Sequence, residues 1–166
     1  MKKVIIVGSP GAGKTTLARK LQEKLNLPLY HLDSIWHKPD RTNIPREEFD
    51  RILRNIISKK EWIIDGCYCR TLDIRIKACD TIILLDFPLR TCLAGARERV
   101  GQKRPEMPWI EETLDEEFKQ WILDFPNEQL PKIYQSIESY GKGKNIIIFK
   151  SREEADGFIH QLQKSI

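Results

Sequence analysis

One stretch near the start of the chain constrains the fold more than any other. Four apolar residues, Val4-Ile5-Ile6-Val7, precede Gly8-Ser9-Pro10-Gly11-Ala12-Gly13-Lys14-Thr15, which fits the pattern G-x-x-x-x-G-K-[ST]. Apolar residues at helical spacing follow it, at Leu17, Leu21 and Leu25. A buried strand, a glycine-rich loop and a helix start in this order predict a phosphate-binding P-loop. In such a loop, backbone N–H groups and the positive end of the helix converge on one anion.

The residue types in this loop predict individual roles. Lys14 is expected to be catalytic, because its ammonium would reach the β- and γ-phosphates of ATP. The Thr15 hydroxyl would ligate Mg²⁺, which prefers oxygen ligands. The alternative is a glycine-rich turn that binds nothing, which the strand before the loop and the helix after it disfavour. The residues expected to bind ATP are Gly8, Ser9, Pro10, Gly11, Ala12, Gly13, Lys14, Thr15 and Thr16.

The rest of the chain alternates short apolar runs with helical patterns. Strands are predicted at about 3–7, 29–32, 62–64, 81–85 and 145–149. Helices are predicted at about 14–25, from 45 onward, and at 72–78, 89–99, 112–125, 131–140 and 152–163. Continuously apolar strands separated by helices predict an α/β fold with a five-stranded parallel sheet covered on both faces. The whole chain, 1–166, is expected to form one domain.

Carboxylates follow two of these strands, at the sheet edge where ligands bind in parallel α/β folds. Asp65 ends the third predicted strand and is expected to take part in holding Mg²⁺, the alternative being a turn or helix-capping role. Asp33 is placed at the end of the second strand and is a candidate catalytic residue for binding a substrate hydroxyl, the alternative being a loop turn.

A basic segment, 97–109, follows the helix predicted at 89–99. Its cations include Arg97, Arg99, Lys103 and Arg104, interspersed with Gly101, Pro105 and Pro108. We predict a short lid in which Arg97, Arg99 and Arg104 neutralise the transferring phosphoryl group. The alternative is a solvated helix end whose positive charge suits the helix dipole.

Composition excludes several other classes of protein. The chain is 40% hydrophobic and 31% charged with a net charge of +4, which is typical of a soluble protein that binds polyphosphates. No apolar run is long enough to span a membrane. The four cysteines lack the spacing of a zinc site and are expected to be reduced thiols in a cytoplasmic protein. They are Cys67, Cys69, Cys79 and Cys92.

Several motifs together carry a family resemblance. Three motifs resemble those of the nucleoside-monophosphate-kinase-like branch of P-loop proteins. They are the P-loop, Trp62-Ile63-Ile64-Asp65-Gly66 with Arg70-Thr71, and Leu84-Leu85-Asp86-Phe87-Pro88. Nearly the whole chain is also similar to the small adenylate-kinase-related DNA topology modulation proteins. The additional stretches that match that family's pattern are Tyr30-His31-Leu32-Asp33, 45–50, Trp121-Ile122 and Phe125-Pro126. That resemblance implies strand order 2-3-1-4-5, ATP binding and a kinase-like lid. The family name implies a link to DNA topology.

These observations predict an ATP- and Mg²⁺-dependent phosphotransferase acting on an unidentified small-molecule acceptor. Shikimate and gluconate kinases carry a hydroxyl-binding Asp in a place similar to Asp33. Arg70 follows Gly66 by four residues, one more than in adenylate kinases, which favours a hydroxyl acceptor over a monophosphate. The alternative is a nucleotide-binding regulatory protein linked to DNA topology. Interspersed charges give no concentrated basic face for direct DNA binding, and the absence of an Asn-Lys-x-Asp motif disfavours a GTPase.

Overall fold

A parallel five-stranded sheet forms the centre of the protein. The computed structural model describes residues 1–162. The strands are ordered β2-β3-β1-β4-β5, and each pairs in parallel with its neighbours. This order confirms the predicted fold class and the order 2-3-1-4-5. The strands are β1 Lys3–Gly8, β2 Leu29–His31, β3 Trp62–Asp65, β4 Thr81–Leu85 and β5 Asn145–Phe149.

Helices connect successive strands. They are α1 Lys14–Leu25, α2 Leu32–Trp36, α3 Arg46–Ile57, α4 Leu72–Ala78, α5 Leu89–Glu98, α6 Glu116–Glu128, α7 Leu130–Tyr140 and α8 Arg152–Gln161, with a short 3-10 helix at Cys69–Thr71. The predicted end of the last helix at 163 lies outside the described residues. Helix α6 begins later than predicted, because the Asp115 carboxylate caps it by accepting from the Phe118 N–H at 3.1 Å.

The two faces of the sheet bury two apolar cores. Alternate residues of β1 point to opposite faces, so Val4 and Ile6 pack with α1, whereas Ile5 and Val7 pack with α3 and α4. Both faces are therefore dry, which is why the inner strands are continuously apolar rather than alternating. Within residues 1–162, no helix is both long enough and apolar enough to cross a lipid bilayer.

The second strand is shorter than its sequence predicts. It was expected to run through Leu32 and end at Asp33, but β2 stops at His31, which pairs with Asp65. Because β3 itself ends at Asp65, Leu32 has no strand residue beside it. The chain turns into α2 instead, and the His37 N–H donates to the Asp33 carbonyl at 3.0 Å. Asp33 therefore lies in the first turn of a short helix, and the prediction that it ends a strand is wrong.

Close packing between the P-loop and α5 fixes the shape of the loop. Gly11 has a φ of 79°, and a Cβ atom added there would lie 2.0 Å from the Cys92 carbonyl oxygen. Gly95 on α5 faces the same contact, since its own Cβ would meet the Gly11 carbonyl oxygen at 2.0 Å. Only glycine at both positions allows this approach. The loop is thus positioned by the helix that leads into the basic segment.

Candidate functional site

The P-loop lies at the carboxyl end of β1, where the sheet edge opens to solvent. The Lys14 side chain is buried in the loop, and its ammonium donates to the Ser9 carbonyl at 2.9 Å. Burial lowers the pKa of Lys14, while the carboxylate of Asp65 opposes that shift. The loop therefore holds a desolvated cation at its centre, in the position expected for contact with phosphate oxygens.

Thr15 and Asp65 meet beside the loop, although they lie 50 residues apart in the chain. The Thr15 hydroxyl donates to Asp65 Oδ2 at 2.8 Å. The His31 Nδ1 atom lies 2.8 Å from the same oxygen, so the Nδ1–H tautomer donates to it. A hydroxyl and a carboxylate side by side are the hard oxygen donors that Mg²⁺ prefers. The two residues predicted to hold the metal are therefore adjacent.

A larger cleft of about 700 Å³ opens on one side of the P-loop. Lys14, Thr15 and Asp65 form its inner end. Its walls come from α2, the residues after β3, the basic segment, α6 and α7. Other residues that line it include Asp33, Trp36, Arg46, Cys67, Tyr68, Cys69, Arg70, Arg99, Arg104, Glu111, Trp121 and Lys132.

Asp33 faces this larger cleft from α2. The Tyr68 hydroxyl donates to Asp33 Oδ1 at 2.7 Å, and burial together with the Asp33 charge raises the pKa of Tyr68. The Tyr68 ring stacks on Phe49, with ring centroids 5.5 Å apart, and both rings contact Trp36 edge-on. The aromatic packing holds the phenol in place, so one carboxylate oxygen of Asp33 is fixed in orientation.

A smaller cleft of about 360 Å³ lies on the other side of the P-loop. It is lined by Gly11, Ala12, Gly13 and Thr16 of the loop and α1. Residues from α5 and α8 close it, among them Gly95, Glu98, Arg152 and Asp156. Three residues line both clefts: Thr15, Arg99 and Arg104. Two separate spaces therefore meet at the phosphate-binding loop.

The predicted cations of the basic segment occupy different positions. Arg99 is partly buried at the junction of the clefts, and burial lowers its pKa, with the nearby Arg104 adding to the shift. It makes no ion pair with any residue from 1 to 162. Arg104 pairs with Glu106 at 3.3 Å and with Glu111 at 3.2 Å. Arg97 is exposed on α5 and lines neither cleft.

Glu106 anchors the basic segment to the body of the protein, and its sequence context gave no sign of this. Its side chain is only 3% exposed and accepts from Arg19 of α1 at 2.7 Å as well as from Arg104. The Glu106 carbonyl accepts from the Ser34 hydroxyl at 3.0 Å. The segment is thereby tied to both α1 and α2.

Arg75 performs a similar task for the loop after β3. Its guanidinium is fully buried and donates to the carbonyls of Gly66, Cys67 and Tyr68. Burial lowers the pKa of Arg75 to about 10. Three residues after the buried Leu72, it falls on the apolar face of α4, which is a signal that sequence inspection could have used.

Two other features of the larger cleft involve residues noted in the sequence. Arg70 does not reach into the P-loop, because it forms a two-pronged pair with Asp50 at 2.7 and 3.1 Å. The thiols of Cys67 and Cys69 lie in the cleft wall with their sulfur atoms 3.5 Å apart. In the part of the chain that the structure describes, no three His, Cys, Asp or Glu side chains form a metal-binding group.

Comparisons with known proteins agree with this architecture. A family model described as "AAA domain" matches residues 4–120. Among curated proteins, the shikimate kinase of Azobacteroides pseudotrichonymphae genomovar. CFP2 is 27% identical over 141 residues, covering 75% of this chain and 80% of the relative. This similarity supports the small-kinase part of the family resemblance, whereas the link to DNA topology stays a prediction.

Solved structures with low sequence identity share the fold. A shikimate kinase from Acinetobacter baumannii, in complex with shikimate, aligns with a TM-score of 0.64 at 18% identity, covering 97% of this chain and 90% of that one. A gluconokinase from Sinorhizobium meliloti 1021 aligns with a TM-score of 0.56 at 12% identity, covering 96% and 87%. The arrangement of sheet and helices is thus that of small P-loop kinases.

Proposed function

The chain belongs to the AAA-domain family of P-loop proteins, and from this premise we propose that it is an ATP- and Mg²⁺-dependent kinase of a small, hydroxyl-bearing acceptor. One observation carries the proposal. Two clefts flank the P-loop and share Thr15, Arg99 and Arg104. A protein that only binds or hydrolyses a nucleotide needs one such space, whereas a transferase needs room for a donor and an acceptor on opposite sides of the transferred group.

The smaller cleft would take the nucleotide. Its lining contains the backbone of Gly11, Ala12 and Gly13, which presents N–H groups to phosphate oxygens. Lys14 would then exchange its hydrogen bond with the Ser9 carbonyl for contacts with the phosphates. Because its cation is already desolvated, little solvent has to be removed when the anion arrives.

Thr15 and Asp65 would hold Mg²⁺, with His31 orienting the carboxylate through the same oxygen, Oδ2, that Thr15 contacts. When bound, the ion would neutralise charge on the phosphate oxygens. The His31 contact fixes one oxygen of Asp65 and keeps the carboxylate turned toward Thr15. This arrangement supports the predicted metal role without requiring any further protein ligand.

Asp33 would orient the acceptor from the larger cleft. Its Oδ1 atom is held by Tyr68, which leaves Oδ2 to accept a hydrogen bond from a substrate hydroxyl. A carboxylate in that position suits an alcohol, whose proton must leave during transfer, and it repels a monophosphate, whose attacking oxygen is already anionic. Arg99, which makes no ion pair within residues 1–162, would stabilise charge on the phosphoryl group during transfer.

The charges around the larger cleft favour a hydroxy acid. Arg46 and Lys132 line it without an ion pair among residues 1–162, so each could bind a carboxylate of the acceptor. The names of the similar proteins, shikimate kinase and gluconokinase, point to the same chemistry. Shikimate and gluconate each combine several hydroxyls with one carboxylate.

A transfer screen tests this proposal. Purified protein would be incubated with ATP, Mg²⁺ and separate panels of hydroxy acids, sugars, nucleosides and nucleoside monophosphates, and ADP release would be followed with and without each compound. We expect at least one hydroxy acid to raise ADP release well above the basal rate and to yield a phosphate monoester. Stimulation by monophosphates alone would contradict the hydroxyl acceptor, and basal ATP hydrolysis unaffected by every class would contradict the kinase.

A further inference from the structure

Two thiols in the wall of the larger cleft have no part in the proposed transfer. The sulfur atoms of Cys67 and Cys69 are 3.5 Å apart, and both residues are partly exposed. The remaining cysteines differ, since Cys79 is 3% exposed and Cys92 is 2% exposed. The protein therefore presents one accessible thiol pair and keeps its other thiols out of solvent.

The backbone between the paired thiols is already compact. If Tyr68 were extended, the Cα atoms of Cys67 and Cys69 would lie roughly 7 Å apart, at the upper limit for a disulfide. Tyr68 instead has a φ of 35° and a ψ of 63°, in the left-handed region, which draws its neighbours together. A disulfide needs its sulfur atoms about 2.05 Å apart, so each sulfur would have to move by less than 1 Å.

The surrounding contacts hold this loop in its compact shape. The Arg75 guanidinium donates to the carbonyls of Gly66, Cys67 and Tyr68, and the Thr71 hydroxyl donates to the Tyr68 carbonyl at 3.2 Å. Because these bonds fix the backbone, the two thiols cannot separate by rotation of the loop. Their closeness is a property of the folded protein rather than of the tripeptide alone.

We propose that Cys67 and Cys69 form a reversible oxidation site that hydroperoxides convert to an intramolecular disulfide. In the first step one thiol attacks a peroxide oxygen and the O–O bond breaks, which gives a sulfenic acid and releases water or an alcohol. In the second step the neighbouring thiol attacks the sulfenic sulfur, the S–O bond breaks and a second water leaves. The peroxide takes up the two electrons that the thiols lose, and a dithiol reverses the change.

The disulfide would also alter the larger cleft, a consequence that rests on the proposed function. Tyr68 is the residue enclosed by the new ring, and its hydroxyl holds Asp33. Closing the ring would place a covalent constraint on the backbone that carries Tyr68, and we expect this constraint to weaken the hydrogen bond from the phenol to the Asp33 carboxylate. Acceptor phosphorylation would fall, whereas the smaller cleft, which contains neither cysteine, would bind nucleotide as before.

Peptide mass spectrometry tests the oxidation site without reference to activity. Trypsin cleavage after Lys60 and Arg70 releases 61–70, which holds both thiols of the pair, and places Cys79 and Cys92 in separate peptides. After brief hydrogen peroxide treatment, quenching and alkylation under denaturing conditions, we expect 61–70 to lose two hydrogens and accept no alkyl group. Cys79 and Cys92 should still alkylate fully, and dithiothreitol should restore alkylation of the pair.

Variants exclude the simpler explanations. In Cys69→Ser the remaining thiol lacks its partner, so peroxide should add oxygen to Cys67 instead of removing two hydrogens from the peptide. Cys92→Ser is the control and should form the disulfide as the parent does. The proposal is overturned if peroxide leaves 61–70 unchanged, oxidises Cys79 equally, or links two chains through Cys67 or Cys69.

A second arm separates this proposal from the kinase assignment. ATP binding and acceptor-dependent ADP release would be measured on reduced and oxidised protein. We expect nucleotide affinity within about twofold and a loss of transfer of up to about fivefold, restored by dithiothreitol. If no acceptor is ever phosphorylated but the disulfide forms, the proposed function fails alone. If oxidised protein transfers at the reduced rate, the link between the disulfide and the cleft is wrong.

Discussion

The two sides of the P-loop are built in different ways. The smaller cleft takes part of its lining from one continuous stretch, the loop and the first turns of α1, and the rest from the end of β4, α5, the basic segment and α8. The larger cleft is assembled from α2, the loop after β3, the basic segment, α6 and α7. A local motif therefore forms the phosphate-binding part of the smaller cleft, the proposed nucleotide side, whereas the larger cleft, the proposed acceptor side, depends throughout on contacts between distant segments.

The contacts that hold each side differ accordingly. Gly11 and Gly95 fix the nucleotide side by direct packing of backbone against backbone. Polar side chains hold the other segments around the clefts. Arg75 supports the loop after β3 in the wall of the larger cleft, and Glu106, between Arg19 and Arg104, ties down the basic segment, which borders both clefts. Single substitutions should consequently affect the two sides separately.

The largest effect is expected at the P-loop itself, between the two clefts, from Lys14→Ala. Loss of this cation should lower phosphoryl transfer by about a thousandfold or more and weaken ATP binding, because the phosphates lose their central positive charge. The fold should persist, since burial already lowers the pKa of Lys14 and the charge is unfavourable without a bound anion. Steady-state rates and thermal denaturation check this, with the exposed Lys142→Ala as the control. Unchanged turnover in Lys14→Ala would contradict the proposed mechanism.

At the junction of the clefts, the expected effect is smaller and falls on turnover. Arg99→Ala should reduce kcat by about 30-fold while changing ATP affinity little, because the Arg99 charge is expected to stabilise the transition state more than bound ATP. Arg97→Ala, two residues away and outside both clefts, is the matched control and should retain the parent rate. Equal losses in both variants would indicate general charge attraction rather than a positioned cation.

The sequence predicted the strand, the loop and the helix that form the P-loop, for a physical reason. A P-loop is a strand, a turn and a helix start in one continuous stretch, so its residue types determine its shape locally. Apolar runs likewise predicted the parallel sheet, and helix α1 was predicted with the bounds that the structure has. The placement of Thr15 beside Asp65 followed from the rule that parallel strands end at one edge.

The acceptor side was predicted only in part, since its geometry arises from long-range contacts. The end of β2 was misplaced because the length of a strand depends on its partner, and β3 stops at Asp65. Nothing near Asp33 in sequence indicates that Tyr68 donates to it across 35 residues. The same holds for the basic segment, which borders both clefts: Glu106 resembles any acidic residue in a basic stretch until α1 and α2 are placed around it.

Within the larger cleft, Tyr68→Phe removes one hydrogen bond and preserves the aromatic packing. The lost hydrogen bond contributes about 1 kcal/mol to the orientation of the Asp33 carboxylate. Its loss should reduce acceptor transfer by about fivefold, with ATP affinity unchanged. Measuring kcat and KM for each substrate separately checks this. If instead the KM for ATP rises, Tyr68 acts on nucleotide binding and not on the acceptor, which would contradict this prediction.

The smallest effect on catalysis is expected from Glu106→Gln, which should act on stability. Replacing a buried carboxylate that accepts from two arginines should cost about 1–2 kcal/mol and lower Tm by a few degrees. Glu98→Gln is the control, because Glu98 is 70% exposed and its contact with Arg152 is 4.0 Å long. Equal Tm values for the two variants would show that Glu106 does not anchor the basic segment.

The central claim is that the larger cleft takes an alcohol oriented by Asp33, and Asp33→Asn tests it most directly. This variant keeps the shape of the side chain and removes its charge. With an acceptor from the screen, phosphate delivered to the acceptor and phosphate released to water would be quantified by ³¹P NMR. The account predicts a loss of about a hundredfold or more in transfer, with basal hydrolysis of ATP within about twofold of the parent. Efficient phosphorylation of AMP at a rate that Asp33→Asn leaves unchanged would contradict it.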